Sequence, residues 1–359
     1  MTRRAHPAGM HPSSRRALHI MGRRARQRTA PERRVETRKT LDRDGYSGRN
    51  ITPVFTLAHL SDVHLGEIGL PRPDLLVSKR ILGLMTWHFR RKAIHLGSVL
   101  DGLLHDIHAE RPDHIALTGD LVNISLPVEF IRAAAWLKKL GRPHDVSVIP
   151  GNHDAYVRIP WERSLGLWAD YMSGEGNDGR EHPAAGLGDF PYLRTRGPLA
   201  IIGVSSAAPM PPHSAAGRIG PDQMARLATL LARTKQAGGC RVVLIHHPPL
   251  AGPASSHKQL LDSAEFRAVI AGQGAELILH GHTHVSGLAQ LPSPAGSVPV
   301  VGVPSASARA HGHKDHARYH LYRIDKELTG WRILVDVRGL GDELSRFAKE
   351  PGFTLHVAA

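Results

Sequence analysis

From residue 51 onward, two periodicities alternate along this chain. Short apolar runs at 54–60, 114–118, 146–150, 241–245 and 277–280 have strand length and are dominated by Val, Ile and Leu. Between and beyond them, apolar residues recur at helical spacing over 94–110, 126–140, 221–235 and 260–271. Pro127 and Pro221 fall in the first turn of two of these segments, and Gly141 lies just past the end of one. Runs at 199–205 and 298–303 add central strands. Residues 319–324 and 331–337 read as a terminal antiparallel pair turned by Leu328, Thr329 and Gly330. Gly-, Asp- and Ala-rich 173–188 and Pro-rich 206–217, which contains His213, read as surface loops. There is no internal repeat. Strands alternating with helices predict a layered α/β fold.

The polar residues just past the five apolar runs change the picture from architecture to chemistry. They are Asp62-Val63-His64, Gly119-Asp120, Gly151-Asn152-His153-Asp154, His246-His247-Pro248 and Gly281-His282-Thr283-His284. Parallel strands set their C-terminal ends along one sheet edge, so residues distant in sequence converge there. Two Asp, one Asn and four His form a shell of hard oxygen and nitrogen donors. No thiolate competes, because Cys240 is the only cysteine. That inventory suits two divalent or trivalent ions with positions left open for water and substrate. Any one block alone reads equally well as a polar turn; five in this order, each at a strand end, do not.

The ordered set resembles the calcineurin-like metallophosphoesterase superfamily over residues 54–305. The resemblance implies a four-layer α/β/β/α sandwich with a two-metal centre at the strand ends. It implies that Asp62, His64 and His284 hold one ion, that Asn152, His246 and His282 hold the other, and that Asp120 bridges them. His246 rather than His247 follows the family's His-x-Pro spacing. Manganese, iron and zinc all suit the set. His153 is expected to face the leaving-group oxygen, with Asp154 orienting its ring. The implied reaction is in-line attack on phosphorus by a hydroxide shared between the ions. Asn123, one turn past Asp120, reads either as a contact at the site's edge or as a helix N-terminal residue.

Substrate class rests on finer detail. The wording of residues 59–64, 118–123, 150–154 and 246–249 looks most like the bacterial branch with cyclic-nucleotide and glycerophosphodiester phosphodiesterases. It lacks the arginines that protein phosphatases carry after the Gly-Asp and Gly-Asn-His blocks, and Asn123 stands where that branch often has Asp. A small phosphodiester is therefore the expected substrate. The segment 75–100 interleaves Leu75, Leu76, Ile81, Leu82, Leu84, Met85, Trp87 and Phe89 with Lys79, Arg80, Arg90, Arg91 and Lys92. Such a helix either packs on the core behind a cationic rim or lies on an anionic membrane. The second option implies a nucleotide-linked lipid such as a UDP-diacylglucosamine, cleaved at its pyrophosphate. A non-catalytic module that keeps the fold is the remaining alternative, against which the retained His153 argues. His311, His313 and His316 read as a solvated loop or a phosphate contact.

Charge and composition complete the expectations. The net charge of +14 is concentrated in residues 1–50, which hold 14 Lys/Arg against 4 Asp/Glu; residues 51–359 carry only +4. The folded part thus offers no cationic track for a nucleic-acid partner, and none is expected. The leader reads as a disordered basic tail, an upstream-start extension before Met10 or Met21, or an Arg-rich targeting peptide. Residues 51–338 form the expected domain and 339–359 a tail. The lone cysteine favours a reducing compartment, so a cytoplasmic protein is expected, peripheral to a membrane's inner face if 75–100 binds lipid.

Overall fold

The computed structural model describes residues 54–358, apart from 67, 69–78, 92, 177, 251–255 and 344. The leader 1–50 and positions 75–78 of the basic segment lie outside the described residues.

Three strands that end in motif residues form one half of the sheet system. β1 (Phe55–Leu60), β2 (His114–Leu117) and β3 (Val146–Val148) are parallel neighbours. They are crossed over by α2 (Gly97–Glu110) and α3 (Pro127–Leu140), and α1 (Arg80–Thr86) precedes both. The second half contains β7 (Leu199–Gly203), β8 (Cys240–Leu244), β9 (Leu277–His280) and β11 (Gly296–Gly302), all parallel. Its crossovers are α4 (Pro221–Gln236) and α5 (Ser263–Gln273). β6 (Tyr192–Arg196) and β10 (Gly287–Ser293) close the two edges antiparallel. A two-residue pair, β4 (Gly174–Glu175) and β5 (Glu181–His182), decorates the 173–188 loop.

Side-chain alternation along the second sheet defines the layers. Leu199, Ile201, Val242, Leu244, Leu277 and Leu279 pack in one core with Leu57, Leu117 and Val148 of the first sheet. The intervening Ile202, Val243, Ile245 and Ile278 pack with Leu227 and Leu231 of α4 and Phe266 and Ile270 of α5. Period-two strands therefore serve two cores at once. Leu103 and Ile107 of α2 and Phe130 and Leu137 of α3 cover the first sheet. The order is helix, sheet, sheet, helix, as expected.

The C-terminal region departs from expectation. β12 (Arg318–Glu327) and β13 (Gly330–Leu340) form the foreseen hairpin, each longer than predicted. Residues 339–359, expected as a tail, instead supply β14 (Phe347–Ala358), which pairs with β13 at the sheet edge. Phe347, Leu355 and Val357 are buried in the main core, which explains why the strand docks. Its charged, discontinuous pattern is that of an edge strand and hid it from period-two reading. β10 carries no strand signal in the sequence: it pairs antiparallel with the expected strand β11, is mostly exposed and contains Pro292.

Candidate metal centre

The five motif loops follow parallel strands, three in the first sheet (β1, β2, β3) and two in the second (β8, β9). Backbone hydrogen bonds carry the strand register into the loops: Asp62 N–H donates to Gly119 C=O and His64 N–H to Asp120 C=O, both at 2.9 Å. The ligand-bearing loops then turn sharply. Asp62, His64, Asp120, His282 and His284 all have positive φ, between 42° and 68°. Non-glycine residues adopt this region at a cost, and such strain concentrates at functional sites. The motif glycines have a different role. A Cβ on Gly151 would collide with the Asp120 carboxylate, and one on Gly281 with Ser61 and Asp62.

Two sets of donor atoms result. His284 Nε2 lies 3.1 Å from Asp62 Oδ1 and 3.3 Å from His64 Nε2. On the other side, His246 Nε2 lies 3.1 Å from Asn152 Oδ1, and its ring centroid is 5.1 Å from that of His282. Asp120 Oδ2 sits between them, 3.9 Å from His64 Nε2 and 3.4 Å from His246 Nε2. Ligands about 2.0–2.2 Å from a common ion are separated by such distances. All seven predicted ligand residues thus meet.

The opposite ring nitrogens are engaged by backbone carbonyls, which sequence could not supply. His246 Nδ1 donates to Thr118 C=O at 2.6 Å and His64 Nδ1 to Val122 C=O at 3.3 Å, so each Nε2 is the nitrogen turned toward the other donor atoms. His282 is reversed: Nε2 donates to Lys258 C=O at 3.1 Å, so Nδ1 is the available donor. His247 is excluded as a ligand because both nitrogens are taken, Nδ1 by Ser206 Oγ at 2.7 Å and Nε2 by Ala215 C=O at 3.1 Å.

Electrostatics agree with a cation site. Burial alone would raise Asp62, but His284, His246 and His64 hold its carboxyl well below the usual range. Burial would lower His246, yet Asp120 pushes it up to about 9. Without an ion, the pocket therefore holds a proton where its carboxylates want positive charge, and bound metal would displace it.

The structure corrects one expected role. Asp154 does not orient the His153 ring. Its Oδ2 accepts from the N–H groups of Asp120 (2.7 Å) and Gly151 (2.8 Å), and its Oδ1 from Leu121 (2.9 Å) and Val122 (3.1 Å). It is the internal brace of the Asp120 loop. The ring of His153 is set instead by Nδ1, which donates to the Asn123 carbonyl at 2.5 Å, and by Tyr156, parallel to it at 5.8 Å. Asn123 therefore contributes its backbone here, while its side-chain Nδ2 donates to Leu65 C=O at 2.9 Å. Its N–H is one of three, with Ile124 and Leu126, that the buried Glu129 carboxylate collects at the start of α3.

One residue outside the five motifs also reaches the site. His95 reaches the first donor set, one ring nitrogen lying within 4.8 Å of those of His64 and His284. Arg80 of α1 donates to Ile124 and Ser125 C=O, fastening the helix beside the site. Of the 311–316 histidines, His316 pairs with Glu350 at 2.7 Å and His311 with Arg309 C=O at 3.0 Å, so neither joins the centre. Lys314 between them donates to Thr283 C=O, inside the Gly281–His284 block.

The family model for calcineurin-like phosphoesterases matches residues 55–286. Among solved structures, a dimetal phosphatase from Danio rerio is similar with a TM-score of 0.51 and 15% identity, spanning 83% of this chain and 98% of that one. Purple acid phosphatase PPD1 from yellow lupin (Lupinus luteus) seeds is similar with a TM-score of 0.55 and 13% identity, over 84% of this chain and 53% of that one. No curated protein matches the sequence. At these identities the likeness is one of fold.

Proposed function

The chain belongs to the calcineurin-like phosphoesterase family and is a hydrolase of phosphoric esters, and from that premise we propose that it is a phosphodiesterase for a small phosphodiester such as a cyclic nucleotide. Asp62, His64 and His284 would hold one ion and Asn152, His246 and His282 the other, with Asp120 placed between the two donor sets. When bound, two such ions polarise a phosphoryl oxygen and bring a water to ionise near neutral pH. His153 serves the departing oxygen. With its Nδ1–H committed to Asn123, proton exchange falls to Nε2, and the Tyr156 ring holds the imidazole plane. Manganese, iron and zinc remain equally suited to the donor set.

The diester assignment is carried by the two residues immediately after the Gly-Asp and Gly-Asn-His blocks. They are Leu121, buried and apolar, and Asp154, whose oxygens face backbone N–H groups. A dianionic monoester gains from a guanidinium clamp at those positions; a monoanionic diester does not need one. With added manganese, hydrolysis of bis-p-nitrophenyl phosphate should exceed that of p-nitrophenyl phosphate in kcat/KM. The reverse order would sink the assignment.

A second reading, a membrane-associated pyrophosphatase or phosphodiesterase on a nucleotide-linked lipid such as UDP-diacylglucosamine, draws on α1. One face of α1 and the turn after it packs Leu84 and Trp87 against Ile124 and Leu126, next to the His153 loop. The other leaves Ile81, Leu82, Met85 and Phe89 exposed, Phe89 by 76%. Among the described residues no helix is long and apolar enough to cross a membrane, and this reading places the contact at the membrane interface. Phe89→Asp should leave the melting temperature unchanged and lower activity on substrate presented in anionic vesicles. Equal activity of both proteins on vesicles would remove this reading.

A further inference from the structure

The segment between the first motif and α2 delivers a histidine into the metal centre. Residues 94–96 run antiparallel to 307–309: Leu96 N–H donates to Ser307 C=O at 3.2 Å, and Arg309 N–H to Ile94 C=O at 3.0 Å. The same strand-like stretch is tied to the first motif, since Ala306 N–H donates to Ser61 C=O at 2.8 Å and Ser305 Oγ to Asp62 C=O at 2.7 Å. His95 and Asp62 are thus positioned by one common segment. His95 is buried.

A relay of side chains fixes its tautomer. The Asp62 carbonyl only accepts, so Ser305 donates to it. Ser305 Oγ is then the acceptor for Ser307 Oγ at 3.4 Å, and Ser307 Oγ the acceptor for His95 Nδ1–H at 2.7 Å. With the proton on Nδ1, Nε2 carries the lone pair, the form in which imidazole binds metal. The rings have matching placement. A histidine bound at about 2.1 Å has its ring centroid about 3.2 Å from the ion, so two rings on one ion are about 4.5 Å apart at a right angle and about 6.4 Å at most. The observed centroid separations are 4.7 Å for His64–His95, 5.3 Å for His64–His284 and 5.9 Å for His95–His284.

We propose that His95 is a further ligand of the ion held by Asp62, His64 and His284, giving that position three imidazoles. The inference rests on the two-ion reading above. It makes the first position richer in nitrogen and closer to coordinative saturation than the second, so that the second is the one with room for substrate.

Manganese binding to the full chain by equilibrium dialysis, with the visible spectrum of the cobalt(II)-loaded protein, tests it. The wild type should bind two ions; fewer than two would defeat the two-ion reading itself. His95→Phe keeps the ring and removes both nitrogens. It should still bind two ions, one of them at least about a hundredfold more weakly, with a shifted cobalt ligand-field band. Ser307→Ala removes the nearer Nδ1 partner, leaving Ser305 Oγ at 3.5 Å, and should weaken the same ion by about tenfold or more, in the range of outer-ligand effects. Wild-type affinity and spectrum in His95→Phe would overturn the proposal, even if turnover fell. Where His95→Phe does not fold, as judged by circular dichroism, Ser307→Ala with both properties unchanged overturns it equally.

Discussion

Replacing Asp154 by Asn separates the brace from the orienting role that its position beside His153 invites. In the native protein its two oxygens collect four buried N–H groups, including that of Asp120 itself. Burial and the neighbouring Asp120 push its carboxyl up to about 7, so at pH 8 it is ionised and accepts all four. Asparagine keeps one oxygen. It can satisfy either the Asp120–Gly151 pair or the Leu121–Val122 pair, and it turns an NH₂ toward the other. Two buried donors lose their partner, at about 1–3 kcal/mol each, a total of roughly 2–6 kcal/mol. The melting temperature of the metal-free protein should fall by at least about 3 °C, read by calorimetry at pH 8. Manganese affinity should fall in the same samples, because the Asp120 loop is the element that is loosened. Unchanged melting and unchanged metal binding, with only the pH profile of turnover displaced, would refute this reasoning and restore Asp154 to His153.

Other perturbations give distinct signatures. His153→Gln should bind both ions as the wild type does yet lose about 10²–10⁴ in kcat, since the group exchanges a proton rather than holding metal; dialysis and steady-state kinetics on one preparation check this. Gly281→Ala places a methyl against Ser61 and Asp62 and should abolish tight manganese binding while leaving a folded far-ultraviolet spectrum. His320 is buried, and desolvation followed by the charge of Arg318 lowers it from 6.5 to about 4. A histidine depressed in the fold favours folding above its unfolded value; stability is lost as pH falls from about 6.5 toward 4, by about 3 kcal/mol. Urea midpoints of the metal-free protein should decline across that window, less steeply for His320→Gln.

The sequence marks candidate ligands but not what orients them. Asp62, Asp120, Asn152, His282 and His284 are legible because strand-end placement is a one-dimensional signal, an apolar run and then a polar residue in fixed order, whereas His246 is separated from His247 only by the spacing of the resemblance. Helix limits at Pro127 and Pro221 were legible for the same reason. The carbonyls that select each imidazole tautomer come from Thr118, Val122 and Lys258, distant in sequence and carrying no side-chain signature. Asp154 shows the limit most clearly. Its adjacency to His153 predicts a partnership, whereas the turn sends the two side chains to opposite duties.

That arrangement also explains how the site tolerates its backbone. Five candidate ligand residues sit at positive φ, a conformation that costs a non-glycine residue of order 1 kcal/mol or more and persists only where its surroundings fix it. Protein groups hold them. Asp154 clamps three consecutive N–H groups from Asp120 to Val122. Asp62 Oδ2 accepts the His282 N–H at 2.9 Å, so one ligand fixes the backbone of another. Asp120 Oδ1 does the same for the His153 N–H at 2.7 Å. Each of these two carboxylates therefore commits one oxygen to protein and offers the other to metal. The loops are preorganised before any ion arrives, and metal removal should cost this protein activity well before it costs the fold.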